Sequence, residues 1–293
     1  MRFPPLLVAL LAASACAQDK PPAADDGDRQ RRADSVIAAA APAADSVSAE
    51  TVTVPLGDGA VDVRVHTAPI TDALAGPTFE TFPLNALSLH DDENTSVEAA
   101  LVALRERGGR VVELVHSGAR NVTFTVGGET YTADPNRMFT PAGRRRTLAA
   151  LSSASPAAEA ALAAFADSVL AVYAAVPPAV VVTLHNNTEG RYSARSYEPG
   201  AEYAGDAAAV TVHDGSDPDD FFFVTDRGLY GLLVAAGFNA VLQDNDAATD
   251  DGSLSVWAAR RGAAYVNVEA QHGHAAEQAR MIRALVDVLS ERP

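Results

Sequence analysis

Four separated groups of residues in this chain carry types suited to hydrolytic chemistry: His90-Asp-Asp-Glu93, Asp134-Pro-Asn-Arg137, His185 closing one apolar run and Glu269 closing another. A catalytic zinc takes three protein ligands from His and carboxylates and keeps a fourth position open for water. His90 and Glu93 sit at an expected strand-to-helix junction, where one turn can aim both side chains at a common point. His185, at the end of a different strand, is placed to supply the third ligand. Zinc lowers the pKa of its water to about 7 and polarises a carbonyl. Glu269 is then the type of group that takes a proton from that water and passes it to a leaving amine. Arg137, with a planar fork of donors, suits either a tetrahedral oxyanion or a substrate carboxylate, and Asn136 offers amide donors beside it. No group is diagnostic alone, because His-x-x-Glu recurs by chance. Their order and their strand-end placement carry the inference.

The elements that must position these groups can be read from periodicity and turn signals. Residues 51–55 and 61–65 alternate and are joined by Gly57-Asp-Gly59, which predicts a hairpin. Residues 84–89 form a strand running into His90, 95–107 a helix stopped by Gly108-Gly109, and 110–115 the next strand. Residues 122–126 and 129–133 flank Gly127-Gly128, a second hairpin that delivers Asp134. An alanine-rich helix over 157–175 precedes a nearly continuous apolar strand, 179–184, that ends at His185. Further strands are expected over 208–212, 221–224, 239–242 and 264–268, the last ending at Glu269. Helices are expected over 226–236 and 253–261, and a closing amphipathic helix over 275–289. Strands this apolar are buried on both faces, so the pattern predicts a central sheet covered by helices in a single catalytic domain over 51–293. In open α/β sheets the carboxyl edge of the strands is where ligands bind.

The order His-x-x-Glu, then Asp134-Pro-Asn-Arg-Met-Phe139, then a strand-end His, then a strand-end Glu, resembles the zinc carboxypeptidase superfamily. The short separations are most similar to its succinylglutamate desuccinylase/aspartoacylase branch. The layout extends over about residues 84–290, and the four motifs are its specific part. The resemblance implies Zn2+ held by His90, Glu93 and His185, substrate or oxyanion binding by Asn136 and Arg137, and Glu269 as the catalytic acid/base. It also implies a phosphorylase/hydrolase-like three-layer α/β/α sandwich with a mixed sheet. Two departures stand out. Asp91 and Asp92 follow His90 where that family has glycine next, and they can tighten the charge balance at zinc or orient a ligand. Val115-His116-Ser-Gly118 stands where the family more often has Asn-Pro; His116 is read first as a polar strand-end residue, with a pocket or supporting role as alternatives. Arg191, Arg195 and Tyr197 follow His185 in a donor-rich loop that either binds a terminal carboxylate or is simply solvated. His272 and His274 are kept as pocket-rim candidates, and Phe221-Phe-Phe223 and Trp257 as packing residues.

Composition narrows the rest. The formal net charge of −16 over 293 residues repels nucleic acid. Lys20 is the sole lysine and aspartates crowd the loops, as on proteins from high-salt habitats or in chains encoded by GC-rich genomes. No His-Glu-x-x-His, Gly-x-Ser-x-Gly, Cys-x-x-Cys or lysine-bearing phosphate loop is present, which removes those enzyme classes. Arg2 and the apolar run 3–15 read as an export signal too short to span a bilayer permanently. Leu11-Ala-Ala-Ser-Ala-Cys16 resembles a lipoprotein lipobox, with Ala13 where Leu is usual. Cys16 is the only cysteine, so no disulfide or thiolate metal site is available and lipid attachment is its expected role. Cleavage at Ala-x-Ala by an ordinary signal peptidase is the alternative. Residues 1–15 are thus expected as a signal, 16–50 as a lipid-anchored tether, and the periplasmic side of a Gram-negative outer membrane as the location, since Ala17 rather than Asp follows the cysteine. The expected activity is hydrolysis of an amide or peptide bond next to a carboxylate-bearing residue, carboxypeptidase-like, with peptidoglycan peptides favoured by compartment. An N-acyl-amino-acid deacylase and a noncatalytic surface binding module on the same fold are the alternatives.

Overall fold

The computed structural model describes residues 47–69, 84–176 and 178–291. The signal, Cys16 and nearly all of the expected tether lie outside the described residues. Among the described residues, eleven strands and six helices of two turns or so and longer follow one another in the order β1 (Ser48–Leu56), β2 (Gly59–Ala68), β3 (Asn85–Ser88), α1 (Asn94–Arg107), β4 (Gly109–Val115), β5 (Val122–Val126), β6 (Glu129–Ala133), α2 (Pro141–Leu151), α3 (Pro156–Tyr173), β7 (Val181–Asn187), β8 (Ala207–Thr211), β9 (Phe221–Val224), α4 (Arg227–Ala235), β10 (Ala240–Gln243), α5 (Leu254–Ala259), β11 (Tyr265–Gln271) and α6 (Ala275–Ser290). Nine strands form one mixed sheet in the order β1-β2-β4-β3-β7-β11-β9-β10-β8, and β5-β6 stand apart as a hairpin.

Alternation along the strands divides the interior into two cores. Val112, Leu87, Val181, Phe221, Phe223 and Tyr265 point to one face, packed with the β5-β6 hairpin, α2, α3 and α5. Val111, Ala86, Val182, Phe222, Val224 and Val266 point to the other, against α1, α4 and α6. The result is a three-layer α/β/α sandwich around a mixed sheet. Each fully buried Leu or Phe, such as Leu87, Leu89, Phe165 or Phe221, contributes roughly 1.5–3 kcal/mol of transfer free energy. α3 presents Leu162, Phe165, Val169 and Tyr173 at helical spacing to the first core, and it starts at Ser155, whose side chain accepts from Ala158 N–H, followed by Pro156.

Three strands position the site. β3, β7 and β11 are neighbours and mutually parallel, so their carboxyl ends reach the same edge. Differences from the sequence pattern are local. His185 and Glu269 lie inside β7 and β11, which continue two residues past each of them, rather than at their ends. α2 was not expected, because Arg144, Arg145 and Arg146 interrupt any apolar stripe. Its start carries the Thr140-Pro141 signal, with Thr140 Oγ1 accepting from Gly143 N–H.

Candidate metal centre

The turn after β3 carries His90 and the start of α1 carries Glu93. Glu93 is the N-cap residue of α1, yet its side chain makes no capping bond. Asn186 from β7 does that work instead, accepting the Ser96 N–H at 2.8 Å, so the Glu93 carboxylate is released to face inward. His185 sits beside Glu269 across the parallel β7-β11 pairing, and both face the first core. Gln278 of α6, wholly buried, clamps that pair of strands: its Nε2 donates to His185 O at 2.9 Å and Val268 O at 3.1 Å, and its Oε1 accepts from Asn186 Nδ2 at 2.9 Å.

The three residues expected from sequence to hold a metal converge. His90 Nδ1 is 2.8 Å from Glu93 Oε1, His185 Nδ1 is 2.9 Å from Glu93 Oε2, and the two Nδ1 atoms are 3.2 Å apart. Ligand atoms at about 2.0–2.1 Å from a tetrahedral zinc would be spaced by about 3.3 Å, so the observed triangle fits an ion with small adjustment. The donor set, two imidazoles and one carboxylate, is also of the type zinc takes with a position left open. All three residues are buried. His90 Nε2 is 2.9 Å from Asp134 Oδ1, the arrangement in which a carboxylate takes the distal N–H and leaves Nδ1 as the metal donor. The residues present therefore fit zinc.

The same carboxylates govern where protons sit. Burial disfavours a charged His90, but the Glu93 and Asp134 carboxylates override it and raise its pKa to about 9. Glu93 is held well below the usual carboxylate range because the two imidazoles outweigh its burial. The hydrogen bond from His90 likewise outweighs burial at Asp134 and holds it low. Glu269 moves the opposite way: burial, with the negative charge of Glu93 added, pushes it up to about 8, although Asn267 Nδ2 donates to Oε2 at 2.8 Å. One carboxylate of the site is therefore a fixed anion and the other a group poised to exchange a proton.

Of the remaining sequence candidates, Asn136 Nδ2 lies 3.3 Å from His185 Nε2. Arg137 is half-buried; its Nη1 donates to Asn136 O at 2.9 Å and its Nε is 3.5 Å from Asp251 Oδ2. Arg191 and Arg195 are exposed, and Arg195 pairs with Glu198 at 3.1 Å. From the same loop it is Tyr192 and Tyr197 that turn inward, their hydroxyls 2.7 Å apart and their electrostatic neighbours including Arg137 and Glu269. His274 lies with Asp220, away from this centre, and His116 Nδ1 is 3.9 Å from Asp91 Oδ2. Asp91 accepts from the His116 and Gly118 N–H groups and so anchors the loop after β4.

Sequence reasoning missed that loop's most important side chain. Arg120 Nη1 donates to Glu93 Oε1 at 2.6 Å and Nη2 is 3.8 Å from Asp134 Oδ2, with the guanidinium half-exposed above the centre. Ser117-Gly-Ala-Arg120 has no periodicity or spacing to mark it. Asp134, by contrast, stands before proline at the start of a 3-10 turn, Pro135–Arg137, and accepts the Asn136 N–H at 2.7 Å, a cap signature visible in sequence.

The sequence matches no family profile and no curated protein. Solved structures that align with it include the murein-tripeptide amidase MpaA from Escherichia coli O157, 17% identical over 87% of this chain and 96% of that one, with a TM-score of 0.43. The LapA aminopeptidase of Legionella pneumophila aligns at 10% identity over 92% of this chain and 64% of its own, with a TM-score of 0.39.

Proposed function

We propose that this chain is a zinc-dependent hydrolase that cleaves an amide bond next to a carboxylate-bearing residue. The carrying observation is the buried convergence of His90, Glu93 and His185 with Glu269 paired directly beside His185. Zinc, when bound by those three, would supply a Lewis acid for the scissile carbonyl and lower the pKa of a water to about 7. Glu269 in its ionised form takes a proton from the attacking water as the oxygen bonds to the carbonyl carbon. It then returns that proton to the amide nitrogen as the C–N bond breaks, leaving a carboxylic acid and an amine, which exchange the acid's proton to become a carboxylate and an ammonium. Arg120, against Glu93 and half-exposed above the centre, would stabilise the oxyanion. Asn136 and Arg137 would hold the substrate carboxylate, with Asp251 setting the orientation of the guanidinium. Tyr192 and Tyr197 form the inner wall.

A small peptide or an N-acyl amino acid has the required chemistry. With the export signal and lipid attachment at Cys16 expected from sequence, the periplasm makes a peptidoglycan peptide the favoured substrate of the carboxypeptidase-like reaction, and a membrane association through the lipid alone. A noncatalytic module on this fold would be expected to lack a ligand or the base, and none is lacking. Elemental analysis of purified protein, followed by a panel of C-terminal peptides, muropeptides and N-acyl amino acids with the zinc-loaded form, tests the proposal. Zinc bound at the centre and release of an amino acid from one class are expected. Undiminished zinc after replacing both His90 and His185, or no turnover of any class, would end it.

A further inference from the structure

A second set of donors lies outside the centre already described. Asp217 and Asp220 belong to the turn that enters β9, and His274 is the residue from which α6 starts. One ligand atom from each lies within 4.8 Å of the others. His274 Nδ1 is 2.9 Å and 3.1 Å from the two Asp220 carboxylate oxygens, which matches the 2.9 Å between His185 Nδ1 and Glu93 Oε2. We propose that Asp217, Asp220 and His274 form a second metal site, taking a divalent ion of the zinc class through two carboxylates and one imidazole.

This set differs from a solvated acidic loop in three respects. Asp220 is buried, and so is Asn239, whose Nδ2 donates to Asp217 O at 2.6 Å and Asp220 O at 3.1 Å, fixing the turn that carries both carboxylates. The three residues line a cavity of about 470 Å³ that also includes Ser216, Asn239 and Glu277, which provides an entry path and room for water ligands to complete a coordination shell. Finally, Arg280 at the cavity wall is bonded to Glu277 and stacked over Phe238 at 4.3 Å, so the Glu277 carboxylate offsets the positive charge that also reaches Asp220. The start of α6 opposes a cation with roughly half a positive charge, less than the two negative charges of Asp217 and Asp220. An imidazole donor favours a transition ion over calcium or magnesium, which prefer oxygen throughout. Asp220 Oδ1 also accepts the Gln271 N–H at 2.9 Å, so an ion here would tie the turn before β9 to the end of β11, the strand of Glu269.

The experiment uses the full chain, stripped with a chelator and reloaded with zinc alone, with elemental analysis and titration calorimetry. The paired variant Asp217→Asn and His274→Gln should bind one zinc fewer than the unaltered chain, and the affinity of that ion should fall at least about 100-fold when both ligands are lost. This holds whether or not the His90 centre takes zinc, so failure of the catalytic proposal leaves the comparison intact: the count would then fall from one to none. An equal count in variant and unaltered chain overturns the inference. Crystals of the unaltered chain soaked in zinc give a reading that does not depend on a variant folding. An anomalous peak between Asp217, Asp220 and His274 supports the site, and its absence at a concentration that fills the His90 centre overturns it.

Discussion

At the scale of single residues, the site separates a fixed anion from a proton carrier. Glu93 is bonded by two imidazoles and Arg120, whereas Glu269 is buried with Asn267 as its donor and its pKa raised to about 8. Only the ionised form of Glu269 is a base, so kcat/KM should rise with pH up to the Glu269 pKa in the working enzyme. Glu269→Gln should keep zinc, lose the acidic limb of that profile and lower kcat by roughly 100- to 10,000-fold. Arg120 and Arg137 are expected to divide their effects. Arg120→Ala should lower kcat by roughly 100- to 1,000-fold with zinc retained. Arg137→Ala should act chiefly on KM, because it holds the substrate in ground and transition states alike. Steady-state kinetics on both variants decides this, and an equal fall in kcat for both would remove the division of roles. Asp134→Asn leaves the shape of the 134–137 turn but weakens the acceptor for His90 Nε2, and zinc affinity should fall about 10- to 100-fold by competition with a chromogenic chelator.

At the scale of elements, two segments distant in sequence are pressed together to aim Asn136 and Arg137. Phe139 N–H donates to Gly252 O, Thr140 Oγ1 to Asp250 Oδ1 and Leu254 N–H to Asn136 Oδ1. Gly252 has φ 89°, and a methyl group there would overlap Arg137 O and the Gly143 Cα. Gly252→Ala therefore combines a left-handed strain of about 1–3 kcal/mol with a backbone clash. The unfolding free energy from urea titration should drop by at least that much, and KM should rise because Arg137 is displaced. A variant with unchanged stability and unchanged KM would show that this close approach has no part in positioning the clamp.

For the whole molecule, proton uptake and metal uptake compete. His90 has a folded pKa of about 9 against 6.5, so the stability it contributes is complete below 6.5 and lost as pH rises through 9. Glu269, at about 8 against 4.5, prefers its proton in the folded state, so the penalty of ionising it grows between those values as pH rises. These two signs agree, whereas burial lowers the His185 pKa from 6.5 and makes its contribution rise with pH below that value, so the Tm of the metal-free protein should decline from about pH 6.5 to pH 9. Zinc favours neutral His90 and ionised Glu269, so the loaded protein should show a flatter or rising Tm over that range, and loading should release protons. Melting curves with chelator and with zinc across the range test this, and parallel curves would remove the linkage.

The hydrophobic periods of β3, β7, β11 and α1, and the residue types at 90, 93, 185 and 269, were legible because they are properties of local sequence: alternation, helical spacing, and the few side chains that bind zinc or carry a proton near neutrality. Asp134 was half legible, through the cap signature of Asp-Pro. That His185 and Glu269 stand side by side depends on the parallel pairing of β7 with β11, which no local pattern encodes. Arg120 reaches Glu93 only because Asp91 anchors the loop after β4, and Arg191 and Arg195, equal candidates by type, end up exposed while Tyr192 and Tyr197 turn inward. Asn186 capping α1 from another strand, and Gln278 clamping two strands from the last helix, are contacts between distant segments whose cost in chain entropy is met only by the assembled core. Chemistry was set by residue type along the chain; which residues share one buried point was decided by the sheet order and by the two cores that hold it.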